Sequence, residues 1–543
     1  MPKCVRQEKP NRKCRWLLRS KTSPKENSSM SRTTHSIRNL QYAMVFQVLD
    51  VVNKIATRTV MVYVLGNAII GLNGLFTEVL AVLSLAEMGV SAAINYSLYA
   101  PLARGDTDKI GQLMLLFRRM YQIIALCVGA VGLALLPFVH LLVRDVPYSI
   151  GYIRTVYLLF LCSTTTSYLF SYKGTLINAD QMTYRITRIK MIMNTLNAVL
   201  KIVVILCFQS FLLFLLVDIL MQIWRNIEID RCATHHYPYL RQKAVLPDKE
   251  ERRLVFRDIR HLFVGRLCGK ITSSTDNILI STMDSTLSVG FYSNYAMIIN
   301  NARTFMLLVV QATSGSIGNQ MVTDTDHAYC TLSRLTMLMF LIANIVCTLF
   351  ATQLTPLIGL WLGSSNQLAD AVVVVLLINL FFYAVREPLW QFLAVSGLFQ
   401  KDKRIAVFGT IVNLIISIGL GLKWGMLGIF IGTTATLLIQ FVLKAKLLIT
   451  EKFERTAWSY IALSFGYFGV TIVSSMVSRW LCVQCATHIL WVDILLGALL
   501  STLVAIGLSA LCFARSEAFQ YCISLLCRRL KKIAKLGKGG KSQ

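Results

Sequence analysis

The stretch GRLCGKITSSTDNILIST, residues 265–282, places Arg266, Lys270 and Asp276 inside a segment of membrane-helix length, 262–283. At 100° per residue Arg266, Lys270, Ser273 and Asn277 share one helical face, with Asp276 beside it. Two further segments repeat the pattern. Asp50, Asn53, Lys54, Thr57 and Arg58 form one polar stripe in 42–65, and Asn379, Tyr383, Arg386 and Trp390 line up in 371–397, with Glu387 adjacent. Pro388 in that segment frees a backbone carbonyl one turn back.

Such faces cannot point at lipid, because a charge at the bilayer centre costs at least about 3 kcal/mol on insertion scales. They must face one another or water. Two readings follow: a hydrated cavity lined by Lys54, Arg58, Arg266, Lys270, Arg303 and Arg386, or buried ion pairs such as Arg58 with Asp276 that only staple helices together. The six cations outnumber nearby acids, which favours the cavity and suggests an anionic substrate. Asn53 and Asn277 add neutral polar groups, while Glu78 and Glu87 could neutralise part of the charge. Glu78, Glu87 or Asp276 could also couple transport to H+ or Na+, although structural pairing explains them equally well. No GxxxxGK[ST] phosphate loop occurs and the expected external loops are short, so neither ATP hydrolysis nor another enzymatic activity is indicated.

The elements that must position these residues are membrane helices. A chain of 543 residues that is 55% hydrophobic and 15% charged is too apolar for a soluble multidomain fold. About 20 mostly apolar residues cross the hydrocarbon, and fourteen segments fit: 42–65, 72–100, 120–143, 153–173, 189–208, 211–231, 262–283, 287–321, 332–354, 371–397, 404–422, 424–447, 458–480 and 489–514. The formal charge of +28 sits in the tails and alternate loops, a membrane pattern rather than a nucleic-acid one. Loops after even-numbered spans are rich in Lys and Arg, whereas those after odd-numbered spans hold only Arg144, Lys423 and Arg479. Both termini are therefore expected in the cytoplasm.

The organisation expected is a basic tail (1–40), six helices (41–231), a basic linker (232–260), six more (261–450), two C-terminal helices (451–514) and a second basic tail (515–543). DTD at 106–108 and again at 324–326, with Arg58 and Asp276 at the same offset of 218 residues, suggests parallel repeats. The fourteen cysteines mostly lie in apolar segments, where Cys behaves as a small hydrophobe, and imply no disulfide framework. Cys482, Cys485 and His488 have metal-like spacing, but on a hydrophobic boundary ordinary packing is the stronger reading, and no cofactor is expected.

RTVMVYVLGNAIIGLNGLFTEVLAVLSLAEMGVSAAINYSLYAPLARGDTDKI (58–110), STDNILIS (274–281) and VGFYSNYAMI (289–298) resemble the bacterial Wzx-type polysaccharide flippases of the multidrug/oligosaccharidyl-lipid/polysaccharide exporter superfamily. In span order the resemblance covers about residues 30–450, and MSRTTHSIRNL at Met30 looks like a family start. It implies fourteen helices in two lobes around a central cavity in the bacterial cytoplasmic membrane. It also implies undecaprenyl-pyrophosphate-linked oligosaccharide as cargo, membrane lipids as surroundings, and polysaccharide polymerase and glycosyltransferases as partners. An anionic, hydrated head would shelter between cationic walls while its tail stays in lipid. Outward movement of negative charge is downhill by about 2.3 kcal/mol per charge per 100 mV. Two alternatives stay open: a drug/cation antiporter of the same superfamily, whose cavity should be acidic, and a membrane glycosyltransferase or polymerase.

The repeat offset predicts that Arg58 and Asp276 approach in at least one state of a transport cycle. Exchanging either charge alone (Arg58→Asp or Asp276→Arg) should then impair export of polymer, and the double exchange should restore it at matched protein levels. Simple addition of the two defects would show that each acts alone.

Overall fold

The computed structural model describes residues 32–524, except 85–93, 95–96, 171, 181, 243–244, 251, 254–273, 312–316, 318–320, 322–324 and 488. Among these residues the fold is all helical, as expected for a polytopic membrane protein. The principal helices are α1 (Arg32–Leu65), α2 (Asn67–Leu83), α3 (Thr107–Leu135), α4 (Ile150–Phe170), α5 (Tyr172–Ala179), α6 (Thr183–Phe208) and α7 (Phe211–His236). They are followed by α8 (274–283), α9 (Thr286–Gln311), α10 (Thr325–Leu362), α11 (Asp370–Val395), α12 (Phe399–Trp424), α13 (Met426–Lys452), α14 (Ala457–Gln484) and α15 (Leu490–Phe513).

By length and composition, eight helices among the described residues are long and apolar enough to cross a membrane: α3 with its continuation to Leu142, α6, and α10 to α15. Helices α1, α7 and α9 are 34, 26 and 26 residues long but fall outside that group. They carry the polar residues of the central cavity, so their composition is mixed by position and not by lack of length.

Burial follows the logic of a hydrocarbon solvent. Large apolar side chains point outwards, with Leu126 and Leu422 75% exposed and Leu511 82% exposed. Such exposure is unfavourable in water and costs nothing against lipid tails. On α1, Met44, Val48 and Val52 are exposed on one side, while Asp50, Asn53, Lys54 and Thr57 line the cavity on the other. The buried apolar residues form three clusters. One draws on residues 61–237 together with Leu362, and two draw on residues 279–522 and 317–461.

Several element boundaries differ from those expected. Helix α2 begins at Asn67 and ends at Leu83, whereas the sequence suggested one span over 72–100. Gly66, at φ 78°, turns the chain within a single residue and brings the start of α2 forward. Asp106 caps α3, its carboxylate accepting the Lys109 amide at 3.0 Å, and Thr325 begins α10. The repeated DTD therefore falls at the starts of two helices; the amide-capping carboxylate is seen at the first, and Asp324 of the second lies outside the described residues. Pro356 and Pro388 lie inside α10 and α11.

The N-terminal part (α1 to α7) and the C-terminal part (α8 to α15) meet tightly at the end where α1 turns into α2. Gly71 on α2 lies against the backbone carbonyl of Thr286, and Gly290 on α9 against that of Asn67. A Cβ on either glycine would overlap backbone. Around these contacts, Arg144 and Thr286 exchange hydrogen bonds: the Arg144 amide donates to Thr286 Oγ1 at 2.9 Å, and the Thr286 amide donates to the Arg144 carbonyl at 3.1 Å. Ser281 Oγ donates to the Leu142 carbonyl at 2.7 Å. The Tyr63 hydroxyl donates to the Trp361 carbonyl at 2.7 Å, and Trp361 Nε1 donates to Thr59 Oγ1 at 2.7 Å.

This seal is expected to be the glycine-dependent state. Overpacking a close contact costs about 1–3 kcal/mol, so Gly71→Val should favour separation of α2 from α9. With accessible native cysteines replaced, Ser293→Cys should react about tenfold faster with an impermeant maleimide added from the α1–α2 turn side in the Gly71→Val background. Unchanged labelling would show that the glycine contact does not hold the seal.

Candidate functional site

Below the seal lies a cavity of about 890 Å³, bounded by α1, α2, α6 and α7 on one side and by α8, α9, α11 and α13 on the other. It extends along α1 as far as Gln47, whose Nε2 donates to Asn301 Oδ1 at 3.4 Å. The volume lies in the upper part of the usual range for ligand pockets, about 300–1,000 Å³.

Of the residues expected to line a cavity, Asn53, Lys54, Arg58, Glu78, Asp276, Asn277 and Arg303 do so. Arg266, Lys270 and Glu87 lie outside the described residues. Arg386 and Glu387 do not line the cavity, which corrects the expectation for both. The stripe on α11 divides instead: Asn379 and Tyr383 reach the cavity, while Arg386 and Trp390 continue behind it. Counted without Arg266 and Lys270, which lie outside the described residues, the cation excess is one. Among the described lining residues, five bases (Lys54, Arg58, Lys201, Arg225 and Arg303) face four acids (Asp50, Glu78, Asp218 and Asp276). The additional charges come from α6 and α7, whose polar residues carry no proline or motif signal but do recur at helical spacing: Asn194, Asn197 and Lys201 on α6, and Asp218 and Arg225 on α7.

Pairing divides these charges further. Lys54 bonds Asp50 at 2.6 Å on its own helix, and Lys201 pairs with Asp218, which also accepts from Asn197 Nδ2 at 2.9 Å. Arg225 Nη1 donates only to a neutral acceptor among the described residues, Asn194 Oδ1, at 2.9 Å. Arg303 lies with its guanidinium 3.7 Å above the Tyr383 ring. Arg58 has no carboxylate within ion-pair distance among the described residues, and its buried Nη1 has no hydrogen-bond partner there. Arg58, Arg225 and Arg303 are thus three cavity-lining guanidiniums on three separate helices that form no salt bridge among the described residues. The expected Arg58–Asp276 pair is absent from this structure. Asp276, 8% exposed, instead accepts from Thr433 Oγ1 at 3.2 Å within the C-terminal part, and Asn413 Nδ2 approaches Thr433 Oγ1 at 3.4 Å.

Behind the cavity wall, cations and aromatic rings alternate. Tyr383 lies between Arg303 at 3.7 Å and Arg386 at 4.1 Å. Arg386 also covers Trp390 at 4.7 Å, and Lys444 covers Trp390 at 4.2 Å while pairing with Asp402 at 2.7 Å. Glu387 comes no closer to Arg386 than 3.9 Å. Ring quadrupoles therefore stabilise charges that carboxylates do only in part. Elsewhere, Cys482 Sγ accepts from Gln353 Nε2 at 3.8 Å, and His488 lies outside the described residues.

The ring face of Tyr383 matters here more than its hydroxyl, because a cation–π contact is worth about 0.5–2 kcal/mol depending on burial. Tyr383→Phe should leave stability in detergent within about 0.5 kcal/mol of the parent, whereas Tyr383→Leu should lose about 1–2 kcal/mol in equilibrium or thermal unfolding. Equal losses in both variants would assign the effect to the hydroxyl.

No protein-family model matches the sequence, and no curated protein sequence does. Solved structures do match. A structure titled "Lipid II flippase MurJ, inward closed conformation" aligns with a TM-score of 0.67 at 14% identity, covering 89% of this chain and 99% of that one. An inward-facing multidrug resistance MATE family transporter of the MOP superfamily aligns with a TM-score of 0.54 at 14% identity, over 78% and 97–99% of the two chains in its inward- and outward-facing forms, the latter at 0.50. A MOP superfamily transporter from Pyrococcus furiosus, whose title reports a binding pocket of reverse polarity, aligns at 0.51 with 11% identity, over 78% of this chain and 97% of that one. These neighbours are transporters and flippases. The chain therefore has the polytopic membrane fold shared by the MurJ flippase and the MATE transporters.

Proposed function

We propose that the protein is a flippase of the Wzx type, moving polyprenyl-pyrophosphate-linked oligosaccharide across the bacterial cytoplasmic membrane for surface polysaccharide assembly. The observation that carries this reading is Arg58: a buried guanidinium with an unpartnered Nη1, facing an 890 Å³ cavity closed at one end by the α2–α9 contact. A phosphate would supply the missing acceptor, and charge-assisted hydrogen bonds to phosphate are about twice as strong as neutral ones. Arg303 would meet the same head from the opposite wall, its orientation held by Tyr383. The sugar-bearing head would occupy the cavity and the polyprenyl chain would remain in lipid.

The mechanism proposed is alternating access. The glycine contacts and the Trp361 hydrogen bonds close the side taken here as external, and separation of α2 from α9 would release the head there. The fold accommodates both states, since the aligned MATE structures are inward- and outward-facing. Asp276 is the group on which H+ or Na+ coupling would act, because it sits in the C-terminal part beside Thr433 and Asn413 and has no cation at ion-pair distance among the described residues. Glycosyltransferases would supply the lipid-linked repeat and a polymerase would consume it. A drug/cation antiporter is the second reading, favoured by the four cavity acids.

Loss of the protein is expected to block export of a surface polysaccharide and to leave its lipid-linked repeat unit on the cytoplasmic leaflet, as read by lipid extraction and leaflet-selective labelling. Arg58→Gln should lower export about tenfold or more while membrane insertion stays intact, reflecting about 1.5–3 kcal/mol for a hydrogen bond to a charged group. Normal polymer outside and no intermediate would overturn the flippase reading. Resistance to cationic drugs that depends on the protein would establish the antiporter.

A further inference from the structure

The wall formed by α4, α6 and α7 carries residues that the pyrophosphate reading does not use. Asn194 and Asn197 face the cavity beside two aromatic rings, Phe160 and Phe214, and beside Arg225. Planar amides hydrogen-bond hydroxyls, and an aromatic ring suits the apolar C–H face of a sugar. Phe214 is stacked on Phe211 and covered by Lys201 at 4.5 Å, so Phe160 is the ring left to the cavity, and with the amides it has the chemistry of a carbohydrate site. One amide is incompletely satisfied: Asn197 Nδ2 donates to Asp218, but the buried Asn197 Oδ1 has no partner among the described residues.

Arg225 adds a charge to that wall. Asp218 is committed to Lys201 and Asn197 and reaches Arg225 only through its longer-range field, so among the described residues the one hydrogen-bond acceptor found for Arg225 is the neutral Asn194 Oδ1. Its position is set along the helices. Asn53 Nδ2 on α1 donates to Thr195 Oγ1 on α6 at 3.0 Å, which puts Asn194 and Arg225 near the level of Asn53. At 1.5 Å per residue that level is ~7.5 Å nearer the Gln47 end of the cavity than Arg58. A head group held at Arg58 by its phosphates would lay its sugars towards this wall.

We propose that the α6–α7 wall is a glycan subsite and that Arg225 selects oligosaccharides carrying an acidic sugar, with a hexuronate as the representative class. A planar carboxylate on the ring can accept two parallel, charge-assisted hydrogen bonds from the guanidinium, whereas the hydroxyls of a neutral sugar offer only uncharged acceptors. The proposal rests on the flippase reading and extends it from the shared pyrophosphate to the variable part of the cargo.

The test uses the full-length protein in proteoliposomes with two fluorescent probes of equal lipid length: a polyprenyl-pyrophosphate disaccharide containing a glucuronate, and its neutral glucose counterpart. Translocation is read by quenching of the probe remaining in one leaflet. The unmodified protein should translocate the acidic probe at least about tenfold faster at limiting probe. Arg225→Gln should remove that preference by slowing the acidic probe, with the neutral probe changed less than twofold, while Arg225→Lys should retain part of it and Arg58→Gln should slow both probes. Equal slowing of both probes in Arg225→Gln, no effect on either, or no preference in the unmodified protein would each overturn the proposal. Those results would leave the flippase reading standing where Arg58→Gln still slows both probes. Translocation of neither probe by the unmodified protein would overturn both.

Discussion

A bilayer offers a charged side chain no water, and this constraint governs where each ionisable residue of the chain can sit. Each inward-facing charge has one of three solutions. Some pair directly, as Lys201 does with Asp218 and Lys444 with Asp402. Others rest on aromatic faces, as Arg303 and Arg386 do on either side of Tyr383. A few, with Arg58 foremost, are left to the cavity itself. The third solution is the expensive one, because breaking or omitting a partner in low dielectric leaves the full desolvation cost of the group.

The cavity exists because the two parts of the chain touch closely at one end and carry polar faces below it. Glycine at 71 and 290 lets α2 and α9 approach to backbone contact, an arrangement that a larger side chain at either position would prevent. Hydrogen bonds from Ser281, Tyr63 and Trp361 then tie loops and helix ends across the same junction. These bonds are local and few, so they can be exchanged without unpacking either apolar core. The buried apolar clusters stay largely within 61–237 or within 279–522, with Leu362 of the C-terminal part joining the first.

Among the described residues the cavity charge is nearly balanced by count but not by pairing. Two of the four acids are engaged by lysines, and Asp276 is held by a threonine hydroxyl, whereas three arginines on α1, α7 and α9 form no salt bridge among the described residues, Arg225 lying only in the longer-range field of Asp218. The distinction matters for specificity. Paired lysines set the local field, but guanidiniums with unspent donors supply directional hydrogen bonds that planar anions can accept.

Much of this was legible in the sequence. Composition and the periodic apolar segments determine an all-helical membrane fold, since hydrocarbon tolerates little else of a backbone. The stripes on 42–65 and 371–397 identified Asn53, Lys54 and Arg58, and Asn379 and Tyr383, as inward-facing, because an i, i+3, i+4 spacing places side chains on one face whatever the helix packs against. The same spacing could not say how far along a helix the cavity runs. Only the tertiary structure ends it at Tyr383 and places Arg386 behind the wall, because the packing of α9 and α13 against α11 decides which turns of one face meet empty space and which meet Trp390 and Lys444. Likewise, Lys201, Asp218 and Arg225 were not singled out by the sequence and join the site only through the packing of α6 and α7. Pairing depends on the register of α6 against α7 and α1, and that register is fixed by contacts between residues far apart in the chain, such as Asn53 with Thr195, which helical periodicity alone cannot supply.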